Sequence, residues 1–470
     1  MTVPDEATGV SRGLALLVAG AMFMEILDGT VIAPAAPHIG ADLGVPAVSV
    51  NLAITAYVLA VGVLIPVSGW LADRFGARRV FGTAVAVFTL ASAACAVAPS
   101  FALLVAARVV MGIGGAMMVP VGRLVVLRTT AKTELIRAIA YLTWPALVAP
   151  VVAPALGGVL ATYASWRWIF VLNVPLGLAG LYLTRRLVPD VRAPEPRRLD
   201  WRGAVLVAGG IAALVIGLED VGSAHPDVAV AGAGLGGGAL LLAAAVVHLL
   251  RAALPLLDLR VLRIATYRVT ALAGSGYRAA ITAIPFLLPL FFQLGFGWTA
   301  ARAGLVVIAL FAGNVGIKPA TTPLLRRFGI RAVLVGAIVG GALCLLALTL
   351  VQPTTPLPVV LALLLLSGIA RSIGFTAYNT VAFADVPAER MSPANTLLST
   401  LQEVGGGLGI AVAALLVRLG EPLAAATGLD AGAGAFRVAF VLLAVTLLGP
   451  LVAAVRLSRA AGAVVTGRSR

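Results

Sequence analysis

Long apolar runs fill most of this chain, and they leave few folds open to it. Fourteen lie near 13–36, 48–72, 80–98, 101–126, 137–161, 167–187, 203–219, 229–250, 268–294, 300–324, 331–351, 357–384, 395–418 and 435–458. At 1.5 Å of rise per helical residue, each covers or nearly covers the ~30 Å of hydrocarbon in a bilayer. A chain that is 61% hydrophobic and only 11% charged carries more apolar surface than a soluble core can hide. The bilayer is therefore part of its solvent, and the expected class is an all-α integral membrane protein.

A formal net charge of +15 would point to nucleic acid in a soluble domain. Here the basic residues first have to be tested as topology determinants, because cytoplasmic loops of membrane proteins are rich in Lys and Arg. With the N-terminus inside, 26 of the 34 basic residues fall in inside loops. Only Arg167, Arg302, Arg418 and Arg437 fall outside, and Arg108, Arg278, Lys318 and Arg371 lie within spans. The bias keeps its sense on both sides of the short seventh run, which would otherwise invert the second half. Both termini are expected in the cytoplasm, and the charge needs no nucleic acid. Only Lys132 and Lys318 are lysines, a bias found in GC-rich bacterial genomes.

Cys95 and Cys344 sit in distant apolar runs and offer neither a disulfide framework nor a thiolate metal site. The N-terminus, with Asp5 and Glu6 against Arg12, does not read as a signal peptide. The chain has three histidines, no Gly-rich phosphate loop ending in Lys-Ser/Thr and no Cys/His cluster. No enzyme chemistry, cofactor or metal is expected, and energy has to come from an ion gradient.

One octapeptide recurs. DRFGARRV at 73–80 and RRFGIRAV at 326–333 both fall in inside turns, after the second and tenth runs. An offset of eight spans implies two six-helix halves of the same orientation with two spans inserted between them. The expected division is 1–190 for the first bundle, 191–262 for a cytoplasmic linker and two bridging helices, and 263–470 for the second bundle.

Further motifs carry a resemblance. GWLADRFGARRV (69–80), RVVMGIGGAMMVPVGR (108–123), APALGGVL (153–160) after Pro150, and LDGTVIAPAAPHI (27–39) together resemble the major facilitator superfamily. Within it they resemble the fourteen-spanner drug:proton antiporters of the EmrB/QacA type. SWRWIFVLNVPLG (165–177), LDWRGAVL (199–206), YRVTALAGSGYR (267–278) and NTVAFADVP (379–387) are most similar to the MdtD-like branch. The chain departs from the pattern at Ala153, Met111 and Ala33, which bears on substrate range more than on fold.

The resemblance implies a cytoplasmic-membrane transporter, functional as a monomer, that exchanges small amphipathic compounds for protons by alternating access. A facilitator of a specific metabolite, such as an organic anion, is the alternative within the same class. A channel or membrane-embedded enzyme would need a polar stripe or a catalytic cluster, and neither is visible.

Ionisable groups inside spans are costly, about 2.5–3.5 kcal/mol each at the centre on insertion scales, so each calls for a role. Glu25 and Asp28, three residues apart, share a helical face and are candidates for proton coupling. A structural ion pair with an Arg of the fourth or ninth span is the alternative. Arg108 matches the family's basic position, and a guanidinium that does not titrate can tune a neighbouring carboxylate.

Arg278, Arg371 and Lys318 face only Glu403 as an obvious acid in the second half, suiting either an anion-tolerant cavity or snorkelling and pairing. Tyr57, Tyr141, Trp144, Asn173, Gln293, Asn314, Tyr378, Asn379 and Gln402 are candidates for cavity lining or for packing. Pro150, Pro154, Gly157 and Gly158 are expected to break or thin the fifth span, as an antiporter hinge or as ordinary close packing.

Gly69, Asp73, Arg74, Gly76, Arg78 and Arg79 form a cytoplasmic turn. The resemblance places Asp73 against the opposite half as a latch, near a helix whose start reads as a Ser392 N-cap followed by Pro393. The second copy has Arg326 in place of that acid.

Overall fold

The computed structural model describes residues 12–129, 135–190, 199–221, 226–387, 390–428 and 432–458. These are mostly helical, with no strand among them. In chain order the helices are α1 (Arg12–Val31), α2 (Ala36–Leu43), α3 (Asn51–Phe75), α4 (Ala77–Ala96), α5 (Phe101–Thr129) and α6 (Leu135–Tyr163). Next come α7 (Trp168–Val171), α8 (Asn173–Leu187), α9 (Trp201–Val221), α10 (Val228–Arg251), α11 (Ala265–Leu290) and α12 (Ala300–Gly316). The last six are α13 (Lys318–Phe328), α14 (Ile330–Leu348), α15 (Leu357–Ala382), α16 (Met391–Ala426), α17 (Ala433–Thr446) and α18 (Leu448–Arg456).

Twelve spans among the described residues are long and apolar enough to cross a membrane. The chain is therefore a multi-pass membrane protein. The seventh run, the shortest in the sequence, is a full helix of 21 residues, α9. The tenth run departs from expectation. It breaks into α12 and α13 with a 50° bend, because Pro319 follows Lys318 in the first turn of α13 and supplies no amide to continue α12. The fifth run departs in the opposite sense. Its helix, α6, continues from Leu135 to Tyr163 through Pro150 and Pro154, so those prolines do not break it.

The helices sort by packing. Helix α1 lies on α5, α6 and α8, α3 on α5, and α4 on α5 and α8. In the second group α11 lies on α15 and α16, α12 on α15, α14 on α15 and α17, and α16 on α17. The groups meet where α6 packs on α12 and α3 on α16. Helices α9 and α10 pack on each other, and α9 reaches α3 and α16.

The α6–α12 contact is made backbone to backbone. A Cβ added at Gly158 would overlap the Ala300 carbonyl of α12, and one at Gly304 would overlap the Pro154 carbonyl of α6. The Ala301 amide donates to Thr162 Oγ1 at 3.0 Å beside them. Only glycine permits that approach.

Both copies of the octapeptide turn on a glycine of the same geometry. Gly76 has φ 92° and ψ 135°, and Gly329 has φ 81° and ψ 155°, a region essentially reserved for glycine. Each closes one helix and opens the next: Gly76 N–H donates to Ala72 O at 3.0 Å and Gly329 N–H to Leu325 O at 3.0 Å.

Ahead of α9, Asp200 ties the linker to the bridging pair. It accepts from Gly203 N at 2.9 Å and Leu256 N at 3.1 Å and pairs with His248 Nε2 at 2.7 Å. Burial works against its charge, but the Gly203 amide, His248 and the Leu256 amide hold its carboxyl below the usual range.

Candidate functional site

The polar centre of the first group is assembled from five helices. Arg108 of α5 and Asp28 of α1 form an ion pair in which both side chains are 0% exposed. Arg108 Nε donates to the Ala53 carbonyl of α3 at 3.1 Å. Its guanidinium carbon sits 4.0 Å from the centroid of the Tyr57 ring. Nη2 has no hydrogen-bond partner among the described residues, and the ring is what it rests on.

The other oxygen of Asp28 accepts from Asn173 Nδ2 of α8 at 3.2 Å. Asn173 also donates to Ser92 Oγ of α4 at 3.1 Å, and Ser92 donates to the Phe170 carbonyl at 2.9 Å. A buried charge pair is tolerated where its remaining lone pairs are satisfied, which Asn173 does here. The arrangement joins the two alternatives left open by the sequence, since Asp28 is both the coupling candidate and the partner of an Arg in the fourth span. Met111 faces Arg108 Nη1 through its sulfur at 3.5 Å.

Glu25 lies one turn from Asp28. The Tyr57 hydroxyl donates to its backbone carbonyl at 3.2 Å. A Cβ at Gly115 would lie 3.6 Å from Glu25 Cγ and 3.3 Å from the Tyr57 hydroxyl, so the three share one pocket of α1, α3 and α5. The charges acting on Glu25 are Glu403, Arg123 and Asp28, which sets it between the pair and the second group.

In the second group Arg278 reaches Glu403 at 3.7 Å and lies over Phe375 at 5.1 Å. Glu403 stands where α3 and α16 touch: a Cβ at Gly62 would come within 2.9 Å of Glu403 Cβ. Arg371 lies over Phe311 at 5.2 Å, and Lys318 donates to Thr376 Oγ1 at 3.2 Å, pairing within the bundle instead of snorkelling.

Of the polar candidates, Tyr378 is packed away, with its ring 5.5 Å from that of Tyr277 and its hydroxyl on the Pro450 carbonyl. Gln402 donates to Asn379 Oδ1 at 3.1 Å. Gln293 crosses between groups, donating to the Pro34 carbonyl at 2.9 Å. The Asn314 carbonyl accepts from Ser372. Tyr141 and Trp144 lie on α6, and their side chains are outside the described set.

Ser92 escaped the sequence reading, and Arg418 entered it only as an outside basic residue. Arg418 of α16 donates to Ser49 Oγ at 2.8 Å across the two groups. A serine inside a span was the available signal at Ser92.

A family model described as Major Facilitator Superfamily matches residues 18–410. The chain belongs to that superfamily. It is similar to the MdtD proteins, named for multidrug resistance. One from Cronobacter sakazakii is 39% identical over 407 residues, 85% of each chain. One from Serratia proteamaculans is 38% identical over 402 residues, 85% of this chain and 84% of the other. Among solved structures, an autoinhibited peptide transporter of the POT family aligns with TM-score 0.67 at 15% identity, covering 98% of this chain and 97% of that one. The nucleoside transporter NupG aligns with TM-score 0.64 at 13% identity, covering 95% and 100%. At such identities these two speak for the fold alone. The superfamily members it matches are transporters, not enzymes.

The first copy of the octapeptide occupies the α3–α4 turn. Asp73 is half-buried there, Arg74, Arg78 and Arg79 are exposed, and Arg78 Nε donates to the Val188 carbonyl at 2.5 Å, fastening the turn to the end of α8. A Cβ at Gly69 would meet nothing within 4 Å. The expected cap on the opposite helix is corrected: α16 begins at Met391 with Arg390 in the cap position, and Ser392 lies inside the helix. Gly157 meets the Val31 carbonyl of α1, and Gly158 meets α12.

Proposed function

We propose that this superfamily member is a proton-coupled antiporter of the bacterial cytoplasmic membrane that exports small amphipathic compounds by alternating access. The fully buried Asp28–Arg108 pair, with Glu25 one turn away, is the observation that carries this. A guanidinium keeps its charge, so a proton entering this centre is carried by a carboxylate. Protonating Asp28 removes the charge that holds Arg108, leaving a buried cation with only Ala53 O, Met111 and the Tyr57 ring around it. That loss favours a second arrangement of α1 against α5. Glu25, which feels both Asp28 and Glu403, links this event to the second group. Asp73 and its arginines act as the cytoplasmic latch, and Gly157 and Gly158 as the seat on which the halves rock.

Fourteen spans fit this reading. Twelve pass by length and composition, α12 with α13 gives a bent thirteenth, and the 29-residue α6 gives the fourteenth. The proposed division is 1–190, 191–262 and 263–470, with both termini in the cytoplasm as the basic loops require. The protein works as a monomer, with no cofactor and the proton gradient as its energy source. The names of the MdtD relatives support a drug-like cargo.

A specific organic anion is the second reading, favoured by the three bases of the second group, Arg278, Lys318 and Arg371, of which Arg278 reaches Glu403 at 3.7 Å. Purified protein in liposomes with an imposed pH gradient tests the first. Transport of a fluorescent amphipathic compound should follow the gradient and move protons the other way. Transport indifferent to the gradient overturns antiport, and competition by organic acids but not by amphipathic cations favours the second reading.

A further inference from the structure

We infer that a groove on the outer surface of the second bundle, between α14 and α15, binds an anionic phospholipid. It encloses about 550 Å³ and is lined by apolar residues alone. Gly336, Gly340, Leu343 and Cys344 of α14 face Leu366 and Ile373 of α15. The trough is open: a Cβ at Gly336 would meet nothing within 4 Å, and one at Gly340 would touch only Ala370 Cβ, at 3.8 Å. Leu343 is 60% exposed and Leu366 54%, so the groove faces the lipid.

Length and charge select the occupant. From Ala332 to Cys344 the groove follows α14 for about 18 Å at 1.5 Å per residue, roughly one leaflet of a ~30 Å hydrocarbon layer. That is the reach of a single acyl chain. Leu324 and Phe328 of α13 line the groove on the side of the Gly329 turn, and the Arg327 guanidinium lies 5.5 Å from the Phe328 ring. Arg326 and Arg331 flank the same Gly329 turn. The charge therefore stands at one end of the groove, where a headgroup phosphate would lie when the chain fills the trough.

This accounts for the difference between the two octapeptides. The first copy carries Asp73 where the second has Arg326, so the second turn is wholly basic and repels nothing on an anionic headgroup. Basic residues at a membrane border each contribute about fivefold to anionic-lipid affinity. A zwitterionic lipid offers the same chain but no net charge to these arginines.

Native mass spectrometry of the full-length protein, incubated with equimolar phosphatidylglycerol and phosphatidylcholine in a neutral detergent, tests the site. Phosphatidylglycerol should be retained in preference. Arg327→Gln with Arg331→Gln should lower that retention about 25-fold. Leu343→Trp should lower retention of both lipids by filling the trough. Arg185→Gln with Arg186→Gln, an equal loss of charge at the end of α8, should leave the preference intact.

Alkylation of Cys344, the more accessible cysteine since Cys95 is buried, gives a second readout. Bound phosphatidylglycerol should slow its reaction with N-ethylmaleimide, and the Arg327/Arg331 change should remove that protection. Equal retention of the two lipids by the unaltered protein overturns the proposal. So does an equal loss from the Arg185/Arg186 variant, or protection that ignores the arginines.

Discussion

Asp28 and Arg108 are 80 positions apart in the chain and meet with no water-exposed surface on either side chain. Their energies are asymmetric. Removing the arginine strands a carboxylate among apolar helices, whereas Asn in place of Asp28 keeps an oxygen for Arg108 to bond. Arg108→Ala is therefore expected to destabilise the protein by about 3–5 kcal/mol. Asp28→Asn should lower the melting temperature in detergent while leaving the protein folded, and should abolish gradient-driven transport in proteoliposomes. Full uphill transport by Asp28→Asn would move the proton to Glu25. Motif and span position made both residues candidates in the sequence. Their pairing was not legible there, because it depends on the rotation of α1 and α5 about their axes. The same limit applies to Tyr378, whose ring and hydroxyl are spent inside the second bundle, and to Ser92, which acquires a role only through Asn173.

At the scale of elements, α6 and α12 approach backbone to backbone across the two groups. The four residues marked as a possible helix break turn out to act by size. Pro150 and Pro154 ride in a continuous helix, while Gly157 and Gly158 lie against the backbones of α1 and α12. Gly304→Val would place a side chain on the Pro154 carbonyl and force α12 off α6, at a cost of about 1–3 kcal/mol. A lowered melting temperature should accompany loss of oxidative cross-linking between Thr162→Cys and Ala301→Cys introduced in the same background. Retained cross-linking with unchanged melting would show that the two helices do not bear on each other there. The break between α12 and α13 was readable in principle from Pro319, but the apolar run continued past it and hid the bend.

For the whole molecule, orientation is the prediction that joins charge to mechanism. Single cysteines in the turn at 326–331 should react with a membrane-impermeant maleimide only when it is applied from the cytoplasmic side. Those at 352–356 should react only from outside. Labelling of both from one side would remove a span between them and undo the even offset of the repeat. Apolar length and the scarcity of charge determined, from the sequence alone, that this chain crosses a bilayer many times. These are sums over many residues against one solvent, so they survive without knowledge of any contact. The glycines at 76 and 329 were equally legible, because a turn between two apolar helices at positive φ excludes nearly every other residue. Which carboxylate is buried against which arginine, where the halves touch, and that the basic second turn stands at the mouth of a lipid-sized groove were decided only by tertiary structure. Each depends on residues far apart in sequence meeting within a few ångströms, and in a uniformly apolar helix no pattern marks the face that will do so.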